Sequence, residues 1–246
     1  MHSVLLTLRV RDVVRATPRS AIVRLDLGDH LFEYAPGQAV FVGGHSDPRL
    51  RPYSLTTAPE DARRDRALEL LIGTEPGEGS DPPFVPAAGA LVDVEGPVGA
   101  FVFPANPKEQ RFLFVAGGTG IAPLRAMLRH VLNVPPPPHG SIGVLYSART
   151  PDEFAYGEEL AALARDGRID YRRTVTRWTE ADWTSDRGRV SRAMLEPLVR
   201  EPETLCFVCG PETLVQAVPK LLEALGVSPR RIRVEGTSDA AGDVEA

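Results

Sequence analysis

A single stretch limits what this chain can fold into: Phe112-Leu-Phe-Val-Ala-Gly-Gly-Thr-Gly-Ile-Ala-Pro123, continued by an amphipathic segment at 124–131. Residues 112–115 are unbroken, aromatic and β-branched, the texture of a strand buried on both faces. Gly117, Gly118 and Gly120 allow a tight turn and the close approach of a ligand. Pro123 suits the first turn of a helix, where its missing N–H costs nothing. The strand therefore delivers a bare helix N-terminus, whose free N–H groups and dipole attract phosphate. Glycines alone also mark ordinary tight turns. Strand, glycines and helix in succession make nucleotide binding the stronger reading.

The chain around that unit has two textures. Before Phe103, short β-rich segments at 3–14, 20–27, 39–42, 68–72 and 91–94 are separated by Gly, Pro and Asp. This spacing predicts a small antiparallel barrel or sandwich. The proline-punctuated stretch 104–110 reads as a linker. Beyond it, apolar runs at 112–115, 142–146, 169–175, 205–208 and 231–235 alternate with helical patterns at 124–133, 155–165, 191–199 and 212–225. That alternation predicts a doubly wound parallel sheet with helices on both faces. The domains are accordingly placed at 1–106 and 107–237, with a disordered tail expected at 238–246 and a stiff connector at 135–138. Open α/β sheets bind ligands beyond the carboxyl ends of their strands, where the strand order reverses. That crevice is expected to face the barrel.

Composition narrows the function. A net charge of −5 argues against broad nucleic-acid binding. No apolar run approaches the ~20 residues of a membrane span. Two cysteines and no signal-peptide pattern predict a cytoplasmic protein without a disulfide framework. Cys206-Phe-Val-Cys209 is not read as a redox pair or half a metal site, because residues three apart in a strand point to opposite faces. The five histidines, His2, His30, His45, His130 and His139, show no metal spacing and read as surface or loop residues, so no metal is expected. Trp178 and Trp183 read as packing residues. Asp152-Glu153 and Glu158-Glu159 read as the solvated start of a helix.

Three barrel motifs carry chemistry. Arg51-Pro52-Tyr53-Ser54 supplies a phosphate clamp, a flat stacking surface and a hydroxyl donor, although such residues on a strand also commonly face solvent. In Pro76-Gly-Glu-Gly-Ser80, Gly79 and Ser80 can offer donors to a phosphate. Glu95-Gly-Pro-Val-Gly-Ala-Phe101 reads as a closing Gly/Pro turn. The glycine unit departs from the dehydrogenase fingerprint. Pro123 stands where a third glycine belongs, and Tyr146-Ser-Ala-Arg149 stands where a ribose-binding acid is expected.

These motifs, in order across both textures, together with Cys209-Gly210-Pro211, resemble the ferredoxin–NADP reductase superfamily over roughly 5–237. The resemblance implies a flavin-binding barrel and an NAD(P)-binding α/β domain, without an iron–sulfur domain. Arg51 would pair with a flavin phosphate, Tyr53 would stack on the isoalloxazine, and Ser54 would bond near flavin N5. Gly79 and Ser80 would hold the pyrophosphate, which favours FAD over FMN. Gly118, Thr119 and Gly120 would carry the pyridine nucleotide. Cys209, Gly210 and Pro211 would lie beside the nicotinamide, and Glu235 would influence proton or nicotinamide handling. Thr176-Arg177 resembles a pair some members use for the 2′-phosphate. With Arg149 and Arg189 it leans toward NADPH, NADH staying open. No aromatic residue follows Glu235, so the aromatic lid of plant-type reductases is missing.

The expected function is NAD(P)H oxidation through bound FAD, with electrons leaving to a separate acceptor protein such as ferredoxin, a flavodoxin-like protein, an oxygenase or a desaturase. Two alternatives stay open: a reductase of diffusible flavin, and a non-catalytic flavin-binding subunit of a larger redox complex.

Overall fold

The computed structural model describes residues 3–75, 83–134 and 140–235. The turn carrying Gly79 and Ser80, the connector at 135–138, His2, His139 and the tail at 238–246 lie outside the described residues. Six strands form the first sheet: β1 (Val4–Thr17), β2 (Ser20–Asp26), β3 (Ala39–Gly44), β4 (Arg51–Ser54), β5 (Ala67–Gly73) and β6 (Leu91–Val98). Every neighbouring pair is antiparallel, in the order β4-β3-β6-β1-β2-β5. The two ends meet through an antiparallel bridge between Leu55 and Leu70, which closes the sheet into a barrel. Period-two patterning drives this. In β2, Ala21, Val23 and Leu25 are buried while Ile22, Arg24 and Asp26 are only partly covered.

Two details differ from the sequence reading. Gly96-Pro97, expected in a turn, lies inside β6, where Gly96 is opposite Val4 of β1. The short helix α1 (Pro59–Asp65) has no counterpart in the expectations, because seven residues are too few to display a helical period.

The second domain follows the expected alternation, with one strand, β10, that was not expected: β7 (Phe112–Gly117), α2 (Ile121–Asn133), β8 (Ile142–Ala148), α3 (Gly157–Arg165), β9 (Asp170–Val175), β10 (Asp186–Arg187), α4 (Arg192–Val199), β11 (Leu205–Cys209), α5 (Glu212–Glu223) and β12 (Ile232–Val234). The sheet is parallel, in the order β10-β9-β8-β7-β11-β12. Strand β7 lies inside it and is covered on both faces. Phe112, Phe114 and Ala116 enter the core shared with α2 and α3, whereas Leu113 and Val115 enter the core shared with α4 and α5. The same alternation separates Cys206 from Cys209, which belong to opposite cores and are both free thiols. Among the described residues no helix is long and apolar enough to cross a membrane.

The residue just before the linker already belongs to the core of the second domain. Phe103 stacks on Phe207 at 5.5 Å and meets Phe112 edge-on at 5.1 Å, so it packs into the α/β core. Trp183 stacks on Phe154 at 5.6 Å, a packing role as expected. His130, expected on the surface or in a loop, lies in α2, where Nδ1 bonds to Glu60 at 3.0 Å.

An ionic seam joins the two domains. Arg19, at the β1–β2 turn, binds both carboxylate oxygens of Glu153 at 2.8 and 2.7 Å. Glu69 of β5 receives Arg125 of α2, and Arg129 of α2 binds the buried Asp61 of α1. Glu159 receives Arg125 and Arg129 at 2.7 and 2.6 Å. Glu153 and Glu159 thus do more than begin a solvated helix. Their partners are distant in sequence, which local charge patterning cannot reveal.

This seam sets an acid limit on stability. Burial pushes the Glu69 carboxyl up, but Arg125, Thr56 and Arg24 outweigh it and hold it below the ordinary glutamate value. Asp61 is also buried, yet Arg129 keeps it low. A depressed carboxyl binds fewer protons when folded, so its contribution is present above the unfolded value and lost as pH falls through the folded one. The thermal midpoint is therefore expected to drop as pH is lowered from about 5 toward 3, a range that begins just above the unperturbed carboxyl values of about 3.9 and 4.3 and runs below them. Calorimetry across that window checks this.

Candidate active site

The strand order reverses between β7 and β11, and the crevice there is built by close backbone approach. A Cβ on Gly120 would lie 2.4 Å from the Cys209 carbonyl oxygen, and one on Gly117 would lie 2.7 Å from Pro211 Cδ. These two glycines bring the turn after β7 against the turn after β11. Gly118 differs: its φ is +55°, and a Cβ added there would meet nothing within 4 Å. It is exposed with Thr119, and its carbonyl accepts the hydroxyl of the buried Tyr146 at 2.9 Å. Residues 118–120 form a single 3-10 turn that runs into α2, with Pro123 in the first helical turn. No side chain caps the α2 N-terminus. That terminus follows the turn after β7, and an uncapped helix N-terminus is suited to binding phosphate.

The barrel presents β4 to this crevice. Tyr53 is held through its hydroxyl, which accepts from the Phe84 N–H at 2.9 Å. That contact ties it to the segment following Gly79 and Ser80. Arg51 Nε is buried and has no hydrogen-bond partner among the described residues. A buried donor without an acceptor is costly, and a bound anion would satisfy it. Pro52, between them, is exposed at the outer edge of β4, opposite Phe41.

Ser54, Glu235 and Cys209 converge from the two domains. The Ser54 hydroxyl donates to Glu235 Oε1 at 3.3 Å, and the Cys209 thiol donates to Oε2 at 2.6 Å. Glu235 is positioned by parallel pairing, its N–H bonding the Val208 carbonyl at 3.0 Å. Burial raises the Glu235 carboxyl above its ordinary value, although both donors oppose this. Burial also lifts the Cys209 thiol well up, reinforced by the Glu235 charge. Cys209 therefore stays a neutral donor. Among the described residues no cation pairs with Glu235, so the site can exchange a proton more easily than an ion-paired carboxylate.

Gly210 and Pro211 continue the turn after Cys209, and Gly210 packs directly on Gly117. Arg149 and Arg177 lie beyond β8 and β9, and the Arg177 N–H bonds the Arg149 carbonyl at 2.8 Å. Both are exposed, and among the described residues neither guanidinium has a hydrogen-bond or ion-pair partner. The sequence reading missed the Phe84 backbone clamp on Tyr53. It also missed Glu69 and Arg125, whose signal was a lone charge inside the apolar runs Leu68-Glu69-Leu70 and Leu124-Arg125-Ala126.

A glycine turn at the switch point thus faces a barrel strand that carries an unsatisfied cationic donor. Comparison with known proteins agrees. Residues 114–220 match the oxidoreductase NAD-binding domain family. Over 196 residues the chain is 36% identical to ferredoxin–NADP reductase B of Sorangium cellulosum, covering 75% of this chain and 77% of that one. It is 33% identical to an NADPH oxidoreductase of Mycobacterium tuberculosis, over 90% of this chain but 57% of the relative. The cytochrome b5 reductase domain of Ulva prolifera nitrate reductase shares the fold, with a TM-score of 0.79 at 22% identity over 94% of this chain and 97% of that one. The chain belongs to the ferredoxin–NADP reductase superfamily of flavoprotein oxidoreductases. The matched domain family makes NAD(P)H its nucleotide.

Proposed function

We propose that this chain oxidises NAD(P)H through FAD bound by residues 1–106 and passes the electrons to a separate protein acceptor from the crevice it shares with residues 107–237. The observation carrying this reading is the meeting of Ser54, Glu235 and Cys209 from both domains beside the nucleotide turn. FAD, when bound, supplies the centre that takes a hydride and releases electrons. The chain's residues bind, align and shield. Arg51 has the buried donor for a flavin phosphate. Tyr53 offers a ring fixed by Phe84. The Gly118-Thr119-Gly120 turn and the α2 N-terminus take the nucleotide pyrophosphate. The Ser54 hydroxyl and Cys209 thiol orient Glu235, which holds or releases a proton at its carboxylate. The buried free thiols suit a reducing, cytoplasmic setting.

The acceptor is proposed to be a small redox protein. The first relative is named for ferredoxin and the structural neighbour for cytochrome b5. The visible spectrum followed by anaerobic titration with NADPH and then NADH tests the core of the proposal. A yellow protein that bleaches is expected. A colourless protein that reduces added flavin would make flavin the substrate, and bound flavin that stays oxidised would mark a non-catalytic subunit. Either result overturns the reading.

NADPH is the preferred donor in this proposal, because Arg149 and Arg177 present unpaired guanidinia at neighbouring strand ends. Arg177→Ala is expected to raise KM for NADPH about tenfold or more, the worth of one charged hydrogen bond. NADH kinetics should change little. Steady-state kinetics with both donors decide it, and equal effects would remove Arg177 from the 2′-phosphate site.

A further inference from the structure

We propose that Glu69 is a positioning residue for hydride transfer: its carboxylate locks the barrel strand carrying Ser54 to the helix carrying the nucleotide turn. The inference rests on the function proposed above, and it concerns residues outside the site already described.

Glu69 lies in β5 and is buried. Its carboxylate receives four side-chain donors. Oε1 accepts from Thr56 at 2.8 Å, Arg125 at 3.0 Å and Tyr156 at 3.0 Å. Oε2 accepts from Arg24 at 2.7 Å. Thr56 and Arg24 belong to the barrel, whereas Arg125 and Tyr156 belong to the α/β domain. A single carboxylate therefore satisfies donors from both sides of the boundary.

The link reaches the reacting ends by short covalent paths. Thr56 stands two residues beyond Ser54. It is fixed twice more: its N–H bonds the Glu69 carbonyl at 2.9 Å, and its own carbonyl accepts Arg125 Nη1 at 3.0 Å. Arg125 lies in the second turn of α2, five residues after Gly120. Its guanidinium also stacks on the Tyr156 ring, 4.1 Å from the centroid. Tyr156 sits at φ +58°, a left-handed conformation that a bulky residue rarely adopts. Such strain persists only where the surroundings over-determine it, and here it delivers the hydroxyl to Glu69.

Simple domain glue would not need this placement. The Arg19–Glu153 and Arg129–Asp61 pairs already join the domains. The Glu69 cluster is distinguished by its position between the Ser54 strand and the Gly120 helix. Hydride transfer depends steeply on the separation and angle of its partners. A rigid polar network at that point sets both.

The test compares wild type, Glu69→Gln, Arg125→Lys and Leu222→Ala, all as the full chain. Gln keeps the shape of Glu69 but loses the charge. Lys keeps the charge of Arg125 but cannot fork to Thr56, Glu69 and Glu159 together. Leu222→Ala loosens the core on the far face of the α/β domain, at the distal end of α5. Stopped-flow reduction by NADPH and FAD affinity are measured below the unfolding range of every variant. Amide exchange of the flavin-free proteins is followed at Leu55, Thr56 and along α2. For Glu69→Gln and Arg125→Lys, the limiting reduction rate is expected to fall on the order of ten- to a hundredfold, with FAD affinity unchanged and exchange faster at those amides. Leu222→Ala should lose stability without slowing reduction. The inference is overturned if Glu69→Gln, or Arg125→Lys where the former does not fold, reduces as fast as wild type. It is also overturned if Leu222→Ala slows reduction equally. If wild type binds FAD but is not reduced, the proposed function fails instead, and the exchange data still judge the lock between domains.

Discussion

Gly120→Ala is expected to slow flavin reduction on the order of a hundredfold, the cost of displacing reacting groups by about 1 Å. The added Cβ would stand 2.4 Å from the Cys209 carbonyl oxygen, 2.6 Å from its carbon and 2.7 Å from Gly210 Cα. All three are backbone atoms, so no side chain can swing away. The turn after β7 and the turn after β11 must part. That motion shifts the α2 N-terminus and the Cys209 thiol, which bonds Glu235. Overpacking of this kind should also cost about 1–3 kcal/mol of stability. FAD affinity should hold, because none of the three nearest atoms that the Cβ would meet belongs to the barrel. Gly118→Ala gives the contrast. Its Cβ meets open space, but its φ of +55° makes the substitution strained, by about 1–2 kcal/mol. It should leave Cys209 in place and slow reduction far less. Stopped-flow measurement of both variants decides between them. A fast Gly120→Ala enzyme would remove the β7–β11 switch point from the chemistry.

The same glycines show what was legible in the sequence. Strand, turn and helix around Phe112 and Pro123 were readable because local periodicity and turn chemistry determine them. The barrel strands were readable for the same reason, as were the opposed faces of Cys206 and Cys209. The division of labour among the glycines was not. All three appear equivalent in sequence, yet Gly117 and Gly120 serve backbone packing against a turn about ninety residues away, and Gly118 alone opens to the crevice. The ionic seam escaped for a related reason. Glu69, Glu153 and Glu159 have partners set by the docking of two domains, and no local pattern encodes that docking. A charge isolated within an apolar run was the available sign at Glu69 and Arg125. It signals burial, but it does not name the partner. Ser54, Cys209 and Glu235 are spread over most of the chain, and only the folded sheet brings them within bonding distance.

Glu235→Gln is expected to make the protein slower and, at neutral pH, more stable. The two effects share one cause. Glu235 is mostly buried, and its partners are a neutral hydroxyl and a neutral thiol. Burial raises its carboxyl above the unfolded value, so the native state favours the protonated form. A raised carboxyl gives a contribution that is complete below the unfolded value, about 4.3, and lost as pH rises through the folded value. Above the folded value the wild type therefore carries a buried charge that opposes folding, the reverse of the Glu69 case. Gln removes that charge and keeps the shape; its one oxygen accepts from one of the two partners, and its NH2 donates to the other. The thermal midpoint should rise above wild type at neutral pH, and the difference should shrink on acidification. Turnover should fall by on the order of 10²- to 10⁴-fold if Glu235 moves a proton during the reaction, and the pH dependence assigned to this carboxyl should vanish. A merely structural Glu235 would give the stability gain with unchanged turnover. The combination of higher midpoint, lower rate and lost inflection separates a proton-handling residue from a packing residue, because packing alone cannot make a variant both firmer and slower in this pH-dependent way.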